Sequence, residues 1–132
     1  MNFVDSGALL AVHLKNDQYH RAAIRSWREL AKPAISGDLV IAEFATILAR
    51  RAGYRFAADA VEHVLTSANF EVVQTSRDDH FEALRWMRKF ADQRISFTDC
   101  VSFAIMRRLR IRSAFTFDRH FRLAGFDTIG LK

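Results

Sequence analysis

The chain has 132 residues, half of them hydrophobic, with one proline and five glycines; this composition suits a single domain over residues 1–132 and excludes a long disordered segment. The single cysteine excludes an internal disulfide. No apolar stretch approaches the roughly 20 residues of a membrane span, and the N-terminus lacks a signal-peptide pattern, so we expect a cytoplasmic protein without a membrane segment. The formal net charge of +5, from 20 Lys and Arg against 15 Asp and Glu, favours a polyanionic partner such as nucleic acid.

The N-terminal part of the chain predicts one strand followed by two helices. Residues 2–4 form a short apolar strand that ends at Asp5. Ser6 is a suitable N-cap for a helix that begins near residues 7–10. Apolar residues at helical spacing predict a second helix over residues 20–30.

A second strand and two more helices are predicted next. Residues 33–36 form the strand, and Asp38 is a good N-cap for a helix over residues 39–51. Gly53 ends that helix, because glycine readily adopts the backbone conformation of a helix C-terminus. Residues 56–65 form the following helix.

The third predicted strand covers residues 70–73, and a helix follows over residues 78–90. Ser96 and Asp99 match the capping-box pattern, in which two side chains satisfy the free N–H groups at a helix start. This pattern predicts a helix that continues through residues 101–109.

The C-terminal part predicts a strand over residues 113–117 that ends at Asp118, a short helix over residues 121–123 and a last strand over residues 127–129. Short strands alternating with helices indicate βαβ units. We therefore predict an α/β fold in three layers, with a parallel sheet covered by helices on both faces.

Three acidic residues fall at one edge of this predicted sheet. Asp5 and Asp118 each follow an apolar strand, and the carboxyl ends of parallel strands lie at the same edge. Asp99 opens a helix, and helix N-termini lie at that edge too. Ligands of open α/β sheets bind there, near the point where the strand order reverses.

Glu43 lies in the middle of a predicted helix, on the apolar face that contains Val40, Phe44 and Ile47. A carboxylate in such a position is costly unless it has a partner. Four clustered carboxylates repel one another and raise one another's pKa. A hard divalent cation with oxygen ligands is the simplest way to relieve that repulsion.

Each acid also has a purely structural interpretation. Asp99 completes a capping box, Asp118 is a suitable N-cap, and Asp5 ends a strand. Glu43 then pairs with an arginine, for which the candidates are Arg50 and Arg94. Capping does not compete with metal binding, because one carboxylate has two oxygens.

The four acids occur in recognisable local sequences: Val-Asp-Ser at residues 4–6, Glu43, Ser-Phe-Thr-Asp-Cys at residues 96–100 and Thr-Phe-Asp-Arg-His-Phe at residues 116–121. Together these segments resemble the PIN-domain nucleases, in particular the VapC-type toxins of bacterial and archaeal toxin–antitoxin pairs. Residues 121–126 are also typical of that family, and the resemblance extends over essentially the whole chain.

The resemblance implies a PIN fold with a five-stranded parallel sheet and an Mg²⁺- or Mn²⁺-dependent endoribonuclease activity. It also implies an antitoxin partner that blocks the site, and a homodimer. By position, it assigns the catalytic and metal-binding roles to four acids: Asp5, Glu43, Asp99 and Asp118. Ser6 and Thr116 match the polar supporting residues of the family.

We expect the RNA phosphodiester bond to be hydrolysed by a metal-activated water. Asp5 and Asp99 are the expected main ligands, and Asp118 completes the set. Glu43 holds a second metal ion or orients the water. Arg119 and Arg122 closely follow Asp118, and from this position in the sequence we expect them to contact phosphate.

The remaining polar clusters carry weaker signals. The arginines within residues 107–112 are interpreted as a solvated helix end that benefits from the helix dipole. The five histidines show no zinc-ligand spacing with cysteine, and we expect them to have surface or packing roles. Cys100 has no evident His–Asn support for a nucleophilic role, and we expect it to be buried.

Two other classes of protein lack residues that they need, and two PIN-type alternatives stay open. A receiver-type signalling domain needs an acidic pair after the first strand and a lysine after a late strand, whereas Asp5 is followed by Ser6 and no lysine lies near Asp118. A phosphatase with an Asp-x-Asp nucleophile lacks its second acid at Gly7. A PIN-like module that binds RNA or protein without cutting, and a PIN nuclease of RNA processing without a toxin role, remain open.

Overall fold

The computed structural model describes residues 1–131, which form five strands and seven α-helices. The strands are β1 (Asn2–Val4), β2 (Ala34–Gly37), β3 (Phe70–Val73), β4 (Ser113–Thr116) and β5 (Asp127–Gly130). The helices are α1 (Ser6–His13), α2 (His20–Glu29), α3 (Asp38–Ala52), α4 (Tyr54–Thr66), α5 (Arg77–Lys89), α6 (Phe97–Arg108) and α7 (His120–Leu123). Each predicted element is present, with bounds that differ by a few residues at most.

The five strands form one parallel sheet in the order β3-β2-β1-β4-β5. In the central register, Phe3 of β1 lies opposite Ile35 of β2 on one side and Ala114 of β4 on the other. The chain builds outward from β1 to β3 and then returns to place β4 on the free side of β1. The strand order therefore reverses between β1 and β4, whose carboxyl ends are neighbours.

Helices cover both faces of the sheet. Crossovers between parallel strands are right-handed, so α1–α4 lie on one face and α5–α7 on the other. Every residue of β1 and β2 is buried, as expected for strands covered on both sides. The predicted three-layer α/β fold is therefore confirmed.

Large apolar side chains fill the two layers of core between the sheet and the helices. The largest fully buried ones are aromatic: Phe3, Phe44, Phe103, Phe115 and Phe121. Burying each such side chain contributes roughly 2–3 kcal/mol relative to leaving it in water. None of the described helices combines the length and apolar character that spanning a membrane requires.

The capping box lies at a different helix from the one predicted. At the start of α6, Ser96 Oγ accepts a hydrogen bond from the Asp99 N–H at 3.1 Å, but within residues 1–131 the reciprocal bond from Ser96 N–H to the Asp99 carboxylate is absent. A complete capping box instead joins Ser76 and Asp79 at the start of α5. The Asp99 carboxylate is consequently free of any capping role.

Arg107 and Arg108 are exposed in the last turn of α6, as expected for a solvated helix end, and their side chains also make specific contacts with α5. Arg108 donates two hydrogen bonds to the buried Asp79 carboxylate, from Nε to Oδ1 at 2.9 Å and from Nη2 to Oδ2 at 2.8 Å. The guanidinium group of Arg107 lies over the ring of Trp86, 5.5 Å from its centroid. Helices α5 and α6 pack side by side, and both arginine side chains link α6 to α5.

Candidate active site

The four predicted acids meet in a cavity of about 350 Å³ at the carboxyl edge of the sheet. They come from four separate elements: the ends of β1 and β4, the body of α3 and the first turn of α6. The acids that line the cavity are Asp5, Glu43, Asp99 and Asp118. Ser6, which was predicted as a supporting residue, lines the same cavity. The position is the reversal of strand order between β1 and β4, where open α/β sheets bind their ligands.

Asp5 is buried and held in one orientation by hydrogen bonds to both of its carboxylate oxygens. Oδ1 accepts from the Ser6 backbone N–H at 2.8 Å, which makes Asp5 the N-cap of α1 in place of the predicted Ser6. Oδ2 accepts from the Thr116 hydroxyl at 2.9 Å. Each carboxylate oxygen has a second lone pair, so these contacts leave Asp5 able to bind a cation.

Thr116 and Ser6 connect the acids to one another. Besides donating to Asp5, the Thr116 hydroxyl accepts a hydrogen bond from the Asp118 N–H at 2.9 Å. Ser6 Oγ donates to Glu43 Oε1 at 3.3 Å. Within residues 1–131, Glu43 forms no ion pair with an arginine, so the structural interpretation of that acid finds no support.

The environment strongly favours the protonated forms of two of these acids. Burial, followed by the charges of Asp5 and Asp118, raises the pKa of Asp99 to about 9. Burial also raises the pKa of Asp5 to about 7, although the hydrogen bonds from Thr116 and Ser6 oppose that shift. Negative charge in this cavity is therefore held at a cost that a bound cation would remove.

His120 belongs to the cavity region, although the sequence did not predict it there. Its Nδ1 lies 3.2 Å from Asp118 Oδ1, and its backbone N–H donates to the same oxygen at 2.9 Å. One ligand atom from each of Asp99, Asp118 and His120 lies within 4.8 Å of the others, close enough to share one metal ion. The signal in the sequence was its place in the Thr-Phe-Asp-Arg-His-Phe segment, two residues after Asp118.

The two arginines expected to contact phosphate lie outside the cavity. Arg122 donates from Nη2 to Thr128 Oγ1 at 2.9 Å and to the Leu131 carbonyl at 3.2 Å, so it is engaged with the end of the sheet. Arg119 is exposed at the start of α7. Within the described chain neither one lines the acidic cavity, and a phosphate role for them remains a prediction.

The residues of the cavity fit a hard divalent cation. Carboxylate oxygens are the ligands that Mg²⁺ and Mn²⁺ prefer, and four carboxylates converge here. No lysine or arginine lines the cavity among residues 1–131, although the chain has 20 such residues. Asp5, Glu43 and Asp99 therefore have no basic side chain paired with them among the described residues.

Comparison with known proteins agrees with this geometry. A model of the PIN domain family matches residues 3–127. The chain is 33% identical over 126 residues to the 23S rRNA-specific endonuclease VapC20 of Mycobacterium tuberculosis, covering 96% of this chain and 95% of that protein. It is also 29% identical over 119 residues to ribonuclease VapC26 of the same organism, covering 89% and 87% of the two chains.

Solved structures show the same relationship. The crystal structure of Mycobacterium tuberculosis VapC20, described as a Sarcin-Ricin loop cleaving toxin, superposes with a TM-score of 0.90 at 31% identity and covers 96% of both chains. A toxin–antitoxin complex from Klebsiella pneumoniae shares the fold alone, with a TM-score of 0.68 at 11% identity over 90% of this chain and 88% of that one. The chain belongs to the PIN domain family, among its VapC-type members.

Proposed function

We propose that this chain is an endoribonuclease that depends on Mg²⁺ or Mn²⁺ and acts as the toxin of a toxin–antitoxin pair. The observation that carries the proposal is the convergence of four acids, with no lysine or arginine among the cavity residues described. VapC20, with which the chain shares 33% identity over nearly its whole length, is named as a 23S rRNA-specific endonuclease. We accordingly propose 23S rRNA, and its Sarcin-Ricin loop in particular, as the substrate.

The contacts of each acid suggest its role, in binding the cation or in positioning water. Asp5, Asp99 and Asp118 hold the cation, with His120 as a further ligand or as the group that orients Asp118. When bound, the cation lowers the pKa of a water molecule and neutralises charge on the phosphoryl oxygens. Thr116 fixes the Asp5 carboxylate and the Asp118 backbone relative to each other.

Glu43 is proposed to orient the attacking water and to take up its proton, or to hold a second cation. Ser6 contacts only Oε1 of Glu43, which leaves Oε2 available to accept a hydrogen bond from water. The reaction breaks the bond between phosphorus and the leaving ribose oxygen, while the water oxygen forms the new bond to phosphorus. These steps require no 2′-hydroxyl, so the preference for RNA rests on the relatives.

The proposal is tested by incubating the purified protein with 23S rRNA in Mg²⁺ or Mn²⁺, with and without EDTA, and mapping cuts by primer extension. We expect discrete cuts that disappear in EDTA and in Asp5→Asn. Asp59→Asn is the matched control, because Asp59 is an exposed acid on α4 and it is expected to cut like the wild type. Cutting that survives both EDTA and Asp5→Asn would contradict the proposal.

An antitoxin protein and a second copy of this chain are proposed as partners. Several large apolar side chains are more than a third exposed on α4 and α5, namely Phe56, Leu65, Phe81 and Met87, and such side chains favour protein contacts. Light scattering of the isolated chain tests the homodimer. Co-purification with the product of an adjacent small reading frame, together with loss of RNA cutting, tests the antitoxin.

We also propose that residues 1–132 act as one domain in the cytoplasm. The family model and the five-stranded sheet span nearly the same residues, which supports a single unit. Ribosomal RNA as the substrate supports a cytoplasmic location. Localisation of a tagged chain by cell fractionation tests this point.

A further inference from the structure

An exposed aromatic ring lies beside the acids. Tyr19, at the start of α2, lines the same cavity as Asp5 and Asp99, and the residue is 42% exposed. One face of its ring is stacked on Phe117, with ring centroids 4.5 Å apart and planes inclined by 5°. Because Phe117 covers that face, a ligand ring has to stack on the opposite face of Tyr19.

Contacts with Phe115 and Gly130 hold the Phe117 ring in place. Phe117 lies between Thr116 and Asp118 in the chain, and its ring meets the ring of Phe115 edge to face, with centroids 5.9 Å apart. Gly130 approaches so closely that a Cβ there would lie 3.1 Å from the Phe117 ring. The pair of rings therefore has a rigid base that is directly connected to the catalytic end of β4.

The loop before α2 holds Tyr19 in place. Its backbone N–H donates to Asp17 Oδ1 at 2.9 Å, and the other oxygen of Asp17 forms an ion pair with Arg51 at 3.8 Å. The next residue, His20, contacts the Ala11 carbonyl through Nδ1 at 2.7 Å. The stacked ring is thus positioned in advance, which lowers the entropic cost of binding a ligand on it.

We propose that Tyr19, supported by Phe117, is the stacking platform for one unpaired nucleobase of the RNA next to the phosphodiester bond that is cut. The inference rests on the proposed function and adds a base-binding subsite to it. Flat aromatic rings bind bases of any sequence through stacking. Within residues 1–131 this cavity contains no lysine or arginine, so the wall formed by Tyr19 suits a neutral base, whereas the acids and their cation suit the phosphate.

The test pairs a protein change with an RNA change. Oligoribonucleotides of the Sarcin-Ricin loop, each with one abasic nucleotide at a position flanking the cut, are cleaved by the wild type and by Tyr19→Ala. At one position we expect the abasic substitution to lower kcat/KM of the wild type by about 5- to 150-fold. At that position we expect almost no further loss in Tyr19→Ala, because both changes remove the same stack.

Matched variants separate stacking from bulk and from folding. Tyr19→Phe is expected to retain the stack and Tyr19→Leu to lose it. Tyr54→Ala is the control for the loss of an exposed tyrosine, since Tyr54 is 77% exposed on α4 and does not line the acidic cavity. If no flanking position shows coupling to Tyr19 while the wild type still cuts, the platform is wrong and the proposed function stands. Unchanged cutting by Tyr19→Ala together with weaker binding of a protein partner would also overturn it, and would assign the ring to a protein interface.

A binding measurement distinguishes the two proposals if no cutting is seen. Oligoribonucleotides of the loop, with 2-aminopurine at each unpaired position in turn, are mixed with Asp99→Asn protein, which is not expected to cut, and the fluorescence is recorded with and without Tyr19→Ala. Quenching that requires Tyr19 supports the platform even when the nuclease activity fails. Equal quenching in both proteins contradicts it.

Discussion

Two regions of this molecule contain buried aspartates, and their surroundings shift the aspartate pKa values in opposite directions. Asp79, at the start of α5, is 3% exposed and accepts two hydrogen bonds from Arg108 and one from the Ser76 N–H. Burial would raise the pKa of Asp79, but these contacts outweigh it and hold the pKa below its usual value. In the acidic cavity, burial and neighbouring acids raise the pKa of Asp5 and of Asp99 instead.

We infer from this difference which buried carboxylates serve stability and which are suited to bind a cation. A buried acid that serves stability has its counter-charge within the protein, as Arg108 provides for Asp79. Among residues 1–131, no lysine or arginine pairs with a cavity acid, although Lys and Arg outnumber Asp and Glu in the chain. A site that leaves negative charge uncompensated in a basic protein is suited to an external cation. Four predictions would break or sharpen this comparison.

The largest effect is expected for Asp99→Asn, which removes one cavity charge and keeps the shape. We expect RNA cutting to fall by at least about a thousandfold, because the variant lacks a metal ligand. The pKa of Asp99 rises from about 4 in the unfolded chain to about 9 in the folded protein. Between these pH values the unfolded state loses the proton more readily, so this acid lowers the free energy of unfolding as the pH rises. The metal-free variant is therefore expected to be more stable than the wild type at neutral pH, by roughly 1–3 kcal/mol. Urea unfolding and a cutting assay measure both; a less stable variant would count against the comparison.

Arg108→Met is expected to lower stability and to leave RNA cutting unchanged, which is the opposite of Asp99→Asn. It leaves Asp79 buried without its counter-charge, and we expect a loss of about 2–3 kcal/mol in the free energy of unfolding. Cutting per folded molecule is expected to stay at the wild-type level, since the ion pair lies on α5 and α6 away from the cavity. Because the pKa of Asp79 is lowered, its contribution to wild-type stability is present above the unfolded pKa and is lost as the pH falls through the folded pKa. Urea unfolding at several acid pH values measures this, and an acid limb identical in Arg108→Met and wild type would be the contrary result.

Cation binding is expected to release protons and to strengthen with pH. Because burial and neighbouring acids raise the pKa of Asp5 to about 7 and that of Asp99 to about 9, we expect a cation to displace protons from these acids at neutral pH. We expect Mn²⁺ affinity to rise by about tenfold per pH unit between pH 7 and 9 and to level off above. Calorimetry in buffers of different ionisation enthalpy counts the protons. Affinity that is flat across this range would show that the acids are already ionised without the cation.

The smallest effect is expected for Arg119→Ala. Arg119 is exposed and follows the cavity residue Asp118, and if it contacts phosphate as proposed, its removal is expected to raise KM by about 3- to 10-fold with kcat unchanged. The slope of binding against salt is expected to fall by about one ion. Filter binding at several salt concentrations checks this. An unaltered slope would remove Arg119 from the substrate path.

The strand ends and the acids that follow them could be predicted from the sequence. Asp5 and Asp118 follow short apolar strands, and the rule that parallel strands end at one edge was enough to bring them together. Glu43 stood out because an acid on an apolar helical face is costly. These inferences use patterns within one element and the common geometry of the fold.

Contacts that depend on how elements pack could not be predicted in this way. Arg108 and Asp79 are 29 positions apart on α6 and α5, and Tyr19 and Phe117 are separated by about three quarters of the chain. Hydrophobic periodicity gives the buried face of each helix but not the relative rotation of two helices, which decides which side chains meet. His120 was missed for a similar reason, because its ring direction depends on the turn after β4.

The central claim is most directly tested by an Mn²⁺ titration followed by electron paramagnetic resonance, with wild-type and Asp99→Asn proteins at pH 8. The signal of free Mn²⁺ is expected to be depleted stoichiometrically by the wild type and to be depleted far less by Asp99→Asn. Equal depletion by the two proteins would contradict the account, since the cation would then be held somewhere other than the acidic cavity.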